Sequence, residues 1–412
     1  FGCSCPTYSF AYLTFTGSPV LNTQFSPWPS FSEEEISAVS QVLQSNKVNY
    51  WTGQQGRDFE KEFASYTDSQ YAIALANGTL ALDLALHALE LGSGDEVIVT
   101  SRTFIASISS IINAGATPVF ADVELDSQNI SAKTIKAVLT KKTKAIICVH
   151  LAGWPCEMDD IMTLAKAENL YVIEDCAQAH GTKYKGRSVG SIGHIGAWSF
   201  CQDKIMTTGG EGGMLTTNNE NLWRKAWAFK DHGKSYAAVY EQEHPPGYRW
   251  LHESFGTNWR LTEMQSAIGR IQLKRMANWT KLRNENAERI FQVCRQYPWL
   301  IVPTVPDYIV HAYYKCYVFV DAEKLPTDVS RDDIINIIHQ HNIPCYSGSC
   351  SEVYKEKAFE RTNLRPKVDL KNAQTLGSTS LMFLVHPTLT NNEMNTMCQG
   401  LTQAFDIIDN KG

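Results

Sequence analysis

From residue 71 onward the chain sets short apolar runs against longer stretches of helical spacing, and this alternation restricts its fold more than any other feature. YAIALA, EVIVT, TPVFAD, AIICVHL and LYVIEDC read as strands. Between them, TLALDLALHALEL, ASISSIINAG, SAKTIKAVLTKK and MDDIMTLAKAEN read as helices. Strand–helix alternation of this kind points to an α/β fold with a mostly parallel central sheet and helices on both faces. The nearly unbroken apolar character of the strands fits a sheet covered on both sides. In such sheets ligands bind beyond the carboxyl ends of the strands. The polar residues just after each run are therefore the ones to watch: Asn77-Gly78-Thr79, Thr103-Phe104, His150, Asp175 to His180, and Ser199 to Lys204.

The flanks have a different texture. In FSEEEISAVSQVLQ (31–44), Ser32 is followed three residues later by Glu35, a pattern that starts helices. RDFEKEFASY reads as an amphipathic helix, and a long helix is expected from LTEMQSAIGRIQLKRMANWTKLRNENAERIFQVC. Pro298, Pro303 and Pro306 then break the pattern. A strand in YYKCYVFVDA, a helix in SRDDIINIIHQHN and a last helix from about Asn391 suggest a smaller C-terminal α+β domain. The expected organisation is a poorly ordered tail over residues 1–26, a large domain over 27–275 and the small domain over 276–412. The opening residues have no basic n-region and no clean apolar segment, so no signal peptide is read there.

Composition narrows the function classes. With 412 residues, 43% of them apolar and 19% charged, the chain can bury a sizeable core. A net charge of −6 leaves no basic footprint for nucleic acid. No apolar run approaches the roughly 20 residues that span a bilayer, so no membrane partner is expected. The eleven cysteines are scattered without paired CxxC blocks, so no metal site is expected and the thiols read as reduced, in a cytoplasmic protein.

Three positions then raise a chemical question. Gly78 and Thr79 follow a strand and open a helix, where backbone N–H groups and the helix dipole favour an anion. Asp175 ends LYVIED. Lys204 stands between the run IGAWSF and a glycine cluster, Gly209, Gly210, Gly212 and Gly213. Taken singly, each has a plain structural reading: a common strand–glycine–helix turn, a helix cap, a solvated lysine. Together they supply what pyridoxal 5'-phosphate requires: a phosphate cup, a carboxylate for the protonated ring nitrogen and an amine for the Schiff base. The freed amine would then move a proton as a general acid and base. Phe104 would cover one face of the ring, unless it is simply a core aromatic.

The stretches NGTLALDLAL, VIEDCAQAHG, SFCQDKIMTTGGEGG, DHG and GTNWRLTEMQSAIGRIQL, with HPTLTNNEM near the C-terminus, resemble the DegT/StrS family of nucleotide-sugar aminotransferases, in order from about residue 27. The resemblance implies a fold-type I pyridoxal-phosphate transferase with Lys204 as the reactive lysine and Asp175 on the ring nitrogen. It places Gln178 at the ring hydroxyl, Gly78, Thr79 and Ser199 at the phosphate, and Phe104 against the ring. Asn258 would reach the phosphate of a neighbouring subunit, which implies a homodimer with shared active sites. On the substrate side it suggests His180 and the HAYYK segment (His311, Tyr313, Tyr314 and Lys315), with Tyr50 and Trp51 also lining the sugar site. The implied reaction moves an amino group from glutamate to a nucleotide-linked keto-deoxy sugar. A dehydratase of the same family carries histidine at the lysine position, and a non-catalytic scaffold is the other alternative. One departure stands out: Cys201-Gln202-Asp203 replaces the more frequent aromatic–Pro–Thr before the lysine.

Overall fold

The computed structural model describes residues 25–410. Seven strands form the central sheet: β1 Tyr71–Leu75, β2 Glu96–Thr100, β3 Thr117–Ala121, β4 Thr143–Val149, β5 Tyr171–Asp175, β6 Ile195–Ser199 and β7 Gly213–Thr217. Their spatial order is β1-β7-β6-β5-β4-β2-β3. From β6 to β3 every pair is parallel, as the alternation predicts. β7 is antiparallel to both of its neighbours, β1 and β6. It was not expected, because the glycines before it read as a turn, yet it is buried along its whole length.

The covering helices follow from their caps and apolar positions. Asn77 accepts a hydrogen bond from the Leu80 N–H and so starts the helix Gly78–Ala88. That helix buries Ala81, Leu82, Leu84, Ala85, Leu86 and Ala88, as a helix packed on more than one side must. Thr262 and Gln265 form a capping box that opens a 32-residue helix, Glu263–Cys294. At about 1.5 Å per residue it is about 48 Å long. It packs on the N-terminal helices Glu33–Gln44 and Gln55–Tyr66 and, further along, on the last helix, Asn391–Asp409. The domain boundary expected at 275/276 falls inside it.

The C-terminal region is a four-stranded antiparallel sheet, in the order Leu300–Ile301, Cys316–Val320, Ser380–Phe383, Cys345–Tyr346. It is flanked by the helices Arg331–Gln340 and Asn391–Asp409 around Ile290, Phe291, Val318, Ile334, Phe383 and Phe405. The expected α+β pattern is therefore present. A small sheet joins Ile309–Val310 to Lys183–Tyr184 and Arg187–Ser188. Next to it, the Ala312 and Tyr314 N–H groups donate to the Gly153 and Ala152 carbonyls. These bonds bring residues 312–314 across the carboxyl ends of the large sheet.

Of the tail expected over 1–26, residues 1–24 lie outside the described residues. Phe25 packs against the small C-terminal core, and the Ser26 N–H donates to Glu393. No described helix is long and apolar enough to cross a membrane.

Candidate active site

The lysine loop leaves β6 at Ser199 and is tied down at several points. The Phe200 N–H donates to the Gly212 carbonyl, and the Thr207 hydroxyl and Thr208 N–H donate to the Phe200 carbonyl. Gln272, on the long helix, accepts from the Thr207 N–H at 2.8 Å. The Trp28 indole N–H donates to the Lys204 carbonyl at 2.8 Å. This loop turns the Lys204 side chain inward, leaving it 18% exposed. Its Nζ lies 3.3 Å from Asp203 Oδ1 and 3.5 Å from the Tyr314 hydroxyl oxygen. The Tyr314 hydroxyl in turn donates to Asp203. Burial works against the Lys204 ammonium, but Tyr314 and Asp203 outweigh it and hold the group above the ordinary lysine value.

Asp175 is buried at the end of β5. The Ser107 hydroxyl donates to its Oδ2 at 2.8 Å and the Ala177 N–H to its Oδ1 at 3.2 Å. Burial raises its proton affinity, and these two donors, with His150 and Lys204 nearby, partly restore the carboxylate. Behind it, His150 Nε2 meets Glu174 Oε2 at 2.9 Å, while Glu174 Oε1 accepts from the Ile192 and Gly193 N–H groups. His150, Glu174 and Cys176 are close enough to suggest a metal cluster. Both ring nitrogens of His150 are already engaged, one by Glu174 and the other by the Cys156 N–H. Gln178 Oε1 accepts from the Ala152 N–H at 2.8 Å.

The helix opening at Gly78 comes against the lysine loop. A Cβ on Gly78 would sit 2.5 Å from Ser199 Cβ, and one on Gly213 would sit 2.3 Å from the Asn77 carbonyl oxygen. Only glycine permits this approach. The Ser199 hydroxyl, half-buried Thr79 and the first N–H groups of an 11-residue helix are thus gathered together, a donor set that suits a phosphate. With a buried carboxylate and a tethered amine on the adjacent strand ends β5 and β6, it fits the group that the sequence implies.

The remaining expected residues are more scattered. Phe104 follows β2 and is 51% exposed. Asn258 is exposed, in a bridge between its own segment and Asp231. Tyr50 is buried and donates to Glu60, with Lys230 Nζ 4.1 Å from its ring centroid. Trp51 packs against Trp227 and Tyr240. His180 is wholly buried against Trp198 and Phe200, and burial lowers its pKa to about 3. His311 is buried too, accepting from the Tyr313 N–H and stacked on the Tyr313 ring at 3.8 Å. Tyr313 turns toward Phe291 in the small core. These two histidines and Tyr313 therefore lie within the packing beneath the site, not in open space beside Lys204. The reason for Tyr313 is its φ of 44°, which breaks the strand alternation and hands the approach to Lys204 to Tyr314. Sequence reading named Tyr314 as one of several substrate-side positions in HAYYK without singling it out, and it missed the contacts of Asp203, Ser107 and Trp28. The one available signal was the unusual Asp203 before the lysine.

A sequence profile of the DegT/DnrJ/EryC1/StrS aminotransferase family matches residues 29–402. The spore coat polysaccharide biosynthesis protein SpsC of Bacillus subtilis (strain 168) is 35% identical over 374 residues, 90% of this chain and 95% of that protein. The GDP-perosamine synthase of Escherichia coli O157:H7 is 42% identical over 263 residues, 63% of this chain and 68% of that enzyme. Among solved structures, the aminotransferase from Psychrobacter cryohalolentis superposes with a TM-score of 0.92 at 65% identity, covering 93% of this chain and 100% of that one. With its lysine loop, buried carboxylate and helix-end anion cup set on this fold, the chain belongs to the DegT/DnrJ/EryC1/StrS aminotransferase family.

Proposed function

We propose that the chain transfers an amino group from glutamate to the keto carbon of a nucleotide-linked deoxy sugar, with pyridoxal phosphate held at Lys204. The observation that carries this reading is the gathering of one tethered amine, one buried carboxylate and one anion cup at adjacent strand ends. When bound, pyridoxal phosphate supplies an electron sink for the carbon that loses its proton. Asp175 would keep a proton on the ring nitrogen. Gly78, Thr79 and Ser199 would hold the phosphate, Gln178 would serve the ring hydroxyl and Phe104 would cover the ring. Lys204 takes a proton at Nζ and gives it back, as a positioned amine does in general acid–base catalysis. Lysine in this place, where the dehydratase relative has histidine, favours transfer.

The same reading makes the working unit a homodimer in which Asn258 reaches the partner's phosphate. Tyr248, Trp250 and Phe255, on the segment leading to Asn258, are 78%, 84% and 98% exposed. Aromatic side chains exposed together in this way are characteristic of a contact surface.

Lys204→Ala tests the assignment. The unaltered chain should bind pyridoxal phosphate covalently, as borohydride trapping and peptide mass spectrometry would show, and should aminate a nucleotide keto sugar when given glutamate. The variant should lose both properties. Turnover retained in Lys204→Ala would reject the assignment.

A further inference from the structure

The position before the reactive lysine departs from the pattern that the family resemblance leads one to expect, and the structure shows where the departing carboxylate goes. Asp203 reaches Lys204 Nζ directly at 3.3 Å, and the Tyr314 hydroxyl, itself donating to Asp203, lies 3.5 Å from the same nitrogen. The three groups come from two separate segments. Asp203 and Lys204 are adjacent on the lysine loop, whereas Tyr314 is delivered by the crossing stretch whose N–H bonds to the Ala152 carbonyl. The Tyr314 ring is buried, with Lys204 Nζ 5.1 Å and Lys315 Nζ 4.8 Å from its centroid. The charged and titratable groups around the amine are Asp203 and Cys201 on its own loop, Tyr314 and Lys315 on the crossing stretch, Asp175 at the end of β5 and His180 just after it. Arg283 approaches from the long helix. Asp203 is the carboxylate in direct contact with the amine. Lys315 and Arg283 add positive charge, and burial, with Arg283 and Lys204 nearby, lowers Lys315 to about 8.

We propose that Asp203, bridged by the Tyr314 hydroxyl, is the counter-ion that holds Lys204 as an ammonium between its taking a proton and giving it back. The inference rests on Lys204 being the reactive amine. When the amine takes a proton, an N–H bond forms at Nζ, the carbon's C–H bond breaks and its electron pair stays with the substrate carbon. The new ammonium then sits 3.3 Å from a carboxylate that is already in place, so no group has to reorganise to stabilise it. Return of the proton reverses the bond changes at Nζ and leaves Asp203 and Tyr314 as they were. The same arrangement has a cost at another step. A lysine must be neutral to attack an aldehyde, so the counter-ion that favours the ammonium slows capture of the cofactor.

The two effects have opposite signs, which makes the role measurable. Full-length chain without cofactor is treated with trinitrobenzenesulfonate across a pH series, and modification at Lys204 is followed by peptide mass spectrometry. In Asp203→Asn the midpoint pH should fall by about one unit or more, which is about tenfold faster labelling below the midpoint. Pyridoxal phosphate should be captured faster by the same variant at pH 7, while its kcat falls and the acid limb of its pH–rate profile shifts. Asp203 is 57% exposed on a loop, so the variant keeps the fold. Tyr314→Phe should move the midpoint in the same direction by less, and Asp203→Glu should restore part of it. A labelling midpoint unchanged in Asp203→Asn would overturn the proposal. The labelling reads the amine alone and needs no substrate, so it stands apart from a failure of the aminotransferase reading, which Lys204→Ala tests.

Discussion

At the scale of single residues, this site gathers groups that would be unfavourable elsewhere. His180 is the plainest case. It is completely buried between Trp198 and Phe200. Its pKa is lowered to about 3, first by burial and then by the nearby Lys204 and Arg283. The folded chain therefore keeps this ring neutral where the unfolded chain, near 6.5, takes up a proton. Stability from this residue is complete above about 6.5 and is lost as pH falls toward 3, at about 1.4 kcal/mol per pH unit. His180→Phe should be tolerated at pH 7 and should unfold at a higher temperature than the parent at pH 5, where the histidine costs about 2 kcal/mol. Thermal unfolding of both proteins at the two pH values checks this. The family resemblance suggested His180 as a substrate-side residue, and the pattern of letters does not show that Trp198 and Phe200 close over it. Lys204 and Asp175 stood out in the sequence only in combination with Gly78 and Thr79, and the structure sets them at adjacent strand ends. Tyr314 stood out less, because one positive φ at Tyr313 decides which tyrosine faces the amine.

At the scale of elements, the parallel part of the sheet was readable from apolar runs, since a strand covered on both faces has little choice of composition. β7 was not, because one partner, β1, lies far away in the chain and its own glycines serve close packing. Gly213 lets β7 pass the Asn77 carbonyl, and Gly78 lets a helix begin against Ser199. The closeness of the anion cup to the lysine loop is therefore set by two absent side chains. Gly78→Ala places a methyl 2.5 Å from Ser199 Cβ, which forces the strand end and helix start apart at a cost of about 1–3 kcal/mol. The expected outcome is a lower melting temperature and at least a tenfold weaker hold on pyridoxal phosphate, read by fluorescence titration. Loss of affinity without loss of stability would mean that the cup, not the packing, is what the methyl disturbs.

At the scale of the whole molecule, the large sheet, the C-terminal sheet and the long helix are packed together, and the proposed dimer would use the exposed aromatics at 248–255. Phe255→Asp should shift the protein toward monomer in sedimentation velocity and lower turnover in step with the monomer fraction, since Asn258 would lose its place at the partner's site. An unchanged dimer would show that this surface serves something else. The helix Glu263–Cys294 has a further consequence. Gln272 grips the lysine loop through Thr207, and Arg283 donates to the Tyr313 and Tyr314 carbonyls. Eleven residues apart on one rod, they are separated by about 16 Å of axial rise. The amine and the hydroxyl beside it are thus surveyed from the same ruler, and swinging the lobes apart would have to bend that ruler before it changed the gap between them. A bulky substrate is then met by a seat whose own spacing stays constant.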